Sequence, residues 1–207
     1  MTFSGIQTFC KNILLKSRYG LTEAECERAI MEACQFFGLP APVVIRNMTE
    51  HPGGDTCFLD RDPESFYDDI LCYNLQQLKR LGVDGYVGFS AIFTHECAHR
   101  LFQNRLLPGP DFGQWEHELV ADYFMGVRAA LQDMDITSVI DGLSQSRGSG
   151  THPNGALRRE YILYGKQEGY MHRIKKIVCD AEHYFKLFLE YRERHLEALR
   201  MAEMRVY

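Results

Sequence analysis

The sequence predicts an α+β chain, mostly helical, with one small antiparallel sheet. Two observations lead there. Three short strand-like stretches fall together between Pro42 and Asn74, and apolar residues recur at helical spacing before and after them. Strands grouped first and helices grouped after them build an α+β architecture rather than a parallel, doubly wound one.

Phe3, Ile6, Phe9, Ile13 and Leu14 stand at helical spacing and open the chain with a helix. Thr22-Glu23-Ala24-Glu25 reads as a capping box: the Thr22 hydroxyl accepts from the third backbone N–H while Glu25 reaches back. The helix it starts is expected to stop at Gly38, before Pro40. Pro42–Arg46 reads as a strand, His51–Asp55 as a turn and Thr56–Asp60 as the returning strand. Asp69–Asn74 is a third strand, followed by a short helix from Leu75 to Leu81.

A buried helix is expected from Tyr86 to about Arg105 and another from Trp115 to Gln132, with the loop Leu107–Gly113 between them. Gly142–Gly155 is rich in Gly and Ser and reads as the most flexible stretch. One long helix is expected from about Tyr170 towards Arg205. Ile174, Ile177, Val178, Ala181, Tyr184, Phe185, Phe188 and Leu196 form its apolar stripe. That stripe is either a core-facing surface or the seam of a homodimer.

Composition excludes several classes. With 207 residues, 45% hydrophobic, the chain is long enough to bury a core without disulfides. Lys plus Arg number 23 against 28 Asp plus Glu, a net charge of −5, which leaves no electrostatic footprint for nucleic acid. Mean hydropathy is −0.28 and no apolar stretch approaches ~20 residues, so no integral membrane segment is expected. The first residues lack the basic-then-apolar order of a signal peptide, so the expected location is cytoplasmic. Seven scattered cysteines without a C-x-x-C pair point to reduced thiols.

The chemistry is concentrated in His95-Glu96-Cys97-Ala98-His99. Four residues apart on a helix, the two imidazoles face the same way and can share one Zn²⁺. Glu96 is offset by about 100° yet close enough to act as general base on a water at the metal. Chance would place H-E-x-x-H in a chain of this composition roughly 2% of the time. The alternative is a pair of surface histidines. Against it, Ala91, Ile92, Phe93, Ala98, Leu101 and Phe102 make the helix a buried one, and buried imidazoles need partners.

A catalytic zinc needs a third protein ligand and an open position. The extended pattern with a third histidine fails, since Phe102 and Arg105 occupy its glycine and histidine places. The next helix offers Glu118, with Asp122 one turn on to hold the second nitrogen of a ligand histidine. Glu116 and His117 are rivals for the ligand role. Ala121, Gly126 and Ala129 are small, as packing against the H-E-x-x-H helix would require.

H-E-x-x-H followed by E-x-x-x-D on the next helix resembles the gluzincin metallopeptidases. Thr151-His152-Pro153, with Arg158 six residues after the histidine, is similar to the motif of the HtpX-like and CAAX-prenyl-endopeptidase-like family. The similarity covers roughly Pro42 to Leu163. It departs at Ala98, where the family has glycine, and at Cys97. The membrane spans common among those relatives are missing.

The resemblance implies a zincin-like fold over residues 1–207, with N-terminal helices over 1–40, a catalytic core over 41–165 and a C-terminal helix over 166–207. It implies one zinc on His95, His99 and Glu118, with Asp122 supporting a ligand and Glu96 as base. His152 would stabilise the oxyanion, with Arg158 as its companion, orienting the site or pairing with a carboxylate. The expected partner is a peptide or protein substrate, and a strand such as Asp69–Asn74, if it is an edge, would hold it by strand addition. The reading is a soluble zinc metalloendopeptidase. Its alternatives are a regulatory or precursor-processing protease with one substrate, and a catalytically silent, metal-stabilised interaction module. A peptide deformylase lacks its upstream cysteine motif here.

Overall fold

The computed structural model describes residues 3–42, 44–49, 57–61, 69–103, 107 and 109–204. Helices dominate: α1 (Phe3–Tyr19), α2 (Glu23–Phe36), α3 (Leu75–Arg80), α4 (Gly85–Gln103), α5 (Gln114–Leu131), α6 (Thr137–Ser144), α7 (Gly155–Lys175) and α8 (Ala181–Met204). The strands are β1 (Val44–Asn47), β2 (Cys57–Arg61) and β3 (Asp69–Tyr73). The chain divides into two compact units, residues 1–93 and 94–207. Among the described residues no helix is long and apolar enough to cross a membrane.

In the first unit the capping box at Thr22 is formed from both sides. Glu25 N–H donates to the Thr22 hydroxyl, and Thr22 N–H donates to Glu25 at 2.8 Å. Gly38, with φ of +66°, follows the end of α2 as expected. In α1, Ile13 and Leu14 are exposed and Leu15 is buried, so the apolar face departs from the expected spacing.

The sheet is mixed rather than wholly antiparallel. Its order is β1-β3-β2, with β1 parallel to β3 and β2 antiparallel to it. β2 therefore does not return against β1, and the turn expected at His51–Asp55 lies outside the described residues. The cause is burial. Ile70, Leu71, Cys72 and Tyr73 are all buried, whereas β1 is half-exposed, so the most apolar strand takes the middle. Whether Asp69–Asn74 is an edge, a question the sequence left open, is thereby answered: β3 is internal, with neighbours on both sides. Asn74 has left the strand and caps α3. Tyr73 meets Phe93 of α4 edge-on, 5.9 Å between ring centres.

In the second unit α5 and α7 pack backbone to backbone. A Cβ on Gly126 would stand 2.1 Å from the Ile162 carbonyl oxygen, and one on Gly165 would stand 2.1 Å from that of Tyr123. The small residue Gly126 thus serves the approach of α7, not the expected packing against the H-E-x-x-H helix.

The single long helix expected over residues 170–205 is two helices. Lys176, in the left-handed region at φ 54°, ends α7, and Asp180 accepts from His183 N–H at 2.9 Å to start α8. The break splits the apolar stripe. Tyr184, Phe185 and Phe188 are core residues, while Ile174, Ile177 and Val178 are exposed, Val178 to 98%. The continuous seam on which the homodimer expectation rested is therefore not formed.

Candidate metal centre

α4 carries His95 and His99 one turn apart, as their spacing requires, and α5 brings Glu118 to them. The two histidine Nε2 atoms are 3.2 Å apart. Glu118 Oε2 lies 3.4 Å from Nε2 of His95, and Oε1 lies 3.5 Å from Nε2 of His99. Donors about 2.0–2.2 Å from a tetrahedral zinc stand roughly 3.3–3.6 Å from one another. The two imidazole nitrogens stand at about that spacing, each faces one oxygen of the Glu118 carboxylate, and the three side chains can hold a metal ion.

The rivals for the third ligand are otherwise engaged. Glu116 accepts from the Gly113 N–H at 2.9 Å and pairs with Arg192 of α8. His117 packs its ring against Phe102 and Phe112.

Behind the ligands is a buried relay of charge. Asp122, one turn after Glu118, sits with Oδ1 at 2.9 Å from His95 Nδ1, an ion-pair contact not aligned as a linear hydrogen bond. Arg158 donates to both carboxylate oxygens of Asp122, Nε to Oδ2 and Nη2 to Oδ1, each at 2.8 Å. Its Nη2 is also 3.9 Å from Glu118. Arg158 therefore grips the carboxylate behind the candidate ligands, the pairing that was one of the two roles expected of it, and acts on the site as a positioning residue.

The environment tunes each group. Burial alone would push the His95 ring down, but Asp122 and Glu118 outweigh it and raise it to about 10. Burial and the neighbouring His95 charge push His99 down to about 3. Glu118 is held well below the usual carboxylate range: its burial acts the other way, and the two histidines and Arg158 overcome it. Asp122 is lowered as well, against its complete burial, chiefly by Arg158. Burial lifts half-buried Glu96 to about 7, with His95 opposing and the Glu118 charge assisting.

His152 reaches the site from the loop between α6 and α7, with Nε2 3.7 Å from Glu118 Oε2 and 53% of its side chain exposed. This loop, expected to be the most flexible stretch, is well braced. Trp115 Nε1 donates to the Ser149 carbonyl at 2.9 Å, Ser149 N–H to the His152 carbonyl at 2.8 Å, and Gly155 N–H to the Ser146 carbonyl at 2.8 Å. Asn154 then caps α7, which sets Arg158 in its first turn.

Thr151 and Trp115 were not singled out from the sequence. Thr151 Oγ1 is 2.9 Å from His152 Nδ1 and fixes the ring. Nothing in the local pattern distinguishes either from an ordinary loop threonine or core tryptophan. Cys97 is buried, and Cys26, Cys34, Cys72, Cys97 and Cys179 are not joined in disulfides.

The chain matches no protein-family model, no curated protein and no solved structure.

Proposed function

We propose that this chain is a zinc-dependent metallopeptidase of gluzincin type, holding the metal on His95, His99 and Glu118. One observation carries the reading: two imidazoles and a carboxylate gathered within reach of one metal ion beside Glu96, a carboxyl pushed up to about 7. A purely structural site has no use for that group.

Bound zinc would supply Lewis acidity, polarising a peptide carbonyl and acidifying a water. Glu96 takes the proton of the attacking water and delivers it to the leaving amine, and a carboxyl poised near neutrality suits both transfers. His152, exposed on its braced loop, donates to the oxygen that gains charge. Asp122 holds His95 through Nδ1 so that Nε2 faces the metal, and Arg158 holds Asp122. The substrate class is peptide or protein, acting in the cytoplasm.

The test is metal content of untagged protein purified without chelators, together with hydrolysis of a quenched fluorescent peptide library. We expect zinc that drops by one equivalent in His99→Ala, and hydrolysis lowered by about 10²–10⁴ in Glu96→Gln with zinc retained. A zinc content unchanged by His99→Ala, or full hydrolysis by Glu96→Gln, overturns the assignment.

A further inference from the structure

A second cluster of metal-binding side chains closes the turn between α7 and α8, and the reading above makes no use of it. His172 stands in the last turn of α7, Cys179 in the connection and His183 in the first turn of α8. One donor atom from each lies within 4.8 Å of the other two. The imidazole centres of His172 and His183 are 5.3 Å apart.

The local backbone has features that hold this arrangement. Lys176 turns the chain in the left-handed region, and Ile177 N–H returns to the His172 carbonyl at 3.0 Å. Asp180 caps α8 through His183 N–H at 2.9 Å, which fixes where His183 leaves the helix. His172 Nδ1 lies 2.9 Å from the hydroxyl of buried Tyr184. A ring that donates through Nδ1 keeps its lone pair on Nε2, the support that ligand histidines receive in metal proteins. Cys179 is half-buried and His183 is exposed, its ring beside those of His172 and Tyr184.

We infer that His172, Cys179 and His183 form a second metal site for a thiophilic divalent ion such as Zn²⁺, with a fourth position left to water. Two imidazoles and a thiolate are a donor set that zinc prefers and that hard ions such as Mg²⁺ or Ca²⁺ do not. Binding releases the Cys179 thiol proton to solvent and forms one metal–sulfur bond. The ion joins the end of α7 to the start of α8. This site stands whether or not the His95 centre is catalytic.

The two centres can be read separately because only this one contains sulfur. Reduced full-length protein titrated with Co²⁺ is expected to develop the intense thiolate-to-cobalt charge-transfer absorption, complete by two equivalents, when both centres are filled. His99→Ala keeps that absorption. Cys179→Ser loses it, and bound cobalt falls from two per chain to one. His183→Ala weakens Co²⁺ binding at least about tenfold, since even an outer partner of a ligand is worth that much. No charge-transfer absorption at saturating Co²⁺, its survival in Cys179→Ser, or unchanged affinity in His183→Ala overturns the site.

Discussion

Arg158 grips Asp122 with two hydrogen bonds of 2.8 Å, deep in the protein and 36 residues apart in sequence. Asp122 in turn stands against His95. The pair joins the first turn of α7 to the middle of α5 and, through Asp122, braces the His95 ring. Arg158→Ala takes the guanidinium from a fully buried carboxylate and leaves His95 as its remaining positive partner. Breaking such a pair costs about 3–5 kcal/mol. Urea denaturation of zinc-free protein is expected to show a loss of that size, with Arg158→Lys recovering only part of it, because lysine cannot match the fork.

Asp122→Asn tests the same relay from the other side. Zinc affinity at the His95 centre is expected to fall about 10- to 100-fold, as removal of a ligand's outer partner does. Competition with a chelator measures it. An affinity equal to wild type would mean that Asp122 contributes nothing to the ligand's orientation.

For the proposed general base, Glu96→Gln keeps shape and removes the proton acceptor. The expected result is a kcat lower by about 10²–10⁴ with zinc content unchanged. Loss of zinc alongside activity would instead make Glu96 a ligand.

His152→Ala removes a donor from an exposed loop side chain, so folding is expected to be unaffected. The expected loss is about 10²–10³ in kcat with KM near wild type, the signature of a group that acts in the transition state. An equal change confined to KM would assign His152 to substrate binding alone.

Gly165→Ala tests the backbone approach of α5 and α7. The added methyl would meet the Tyr123 carbonyl oxygen at 2.1 Å, and backbone cannot swing aside as a side chain can. A loss of about 1–3 kcal/mol or more is expected, the range of overpacked cores. Thermal unfolding reads it directly.

The pH dependence of the zinc-free protein follows from His95. Its ring is raised to about 10 in the folded chain against an ordinary value of 6.5. A raised pKa means that the folded state holds the proton more tightly, so its contribution is complete below pH 6.5 and lost as pH rises towards 10. Stability measured in chelator is expected to decline between pH 7 and 10, and His95→Asn is expected to flatten the decline. An unaltered slope in that variant would assign the decline to other groups.

Much of this was legible because it is local. The capping box at Thr22 and the stop at Gly38 depend on residues within one or two turns. Likewise His95 and His99 share a face of α4 by helical geometry alone. The break at Lys176 was missed although Asp180 signalled a new helix start three residues before His183. The apolar spacing on both sides of the break matched one continuous helix. The helix α6 was missed because Gly142 and Ser144 read as loop.

By itself the sequence determined what can be settled over a few residues: helix faces and caps, the paired imidazoles, and the donor types that draw a soft or borderline metal. Only tertiary structure decided that Glu118 and not Glu116 or His117 meets those imidazoles, that β3 lies in the middle of its sheet, and that Arg158 serves Asp122. Each of these is a choice among chemically equivalent partners distant in sequence. Such choices are made by which surfaces become buried together, and no local pattern encodes that.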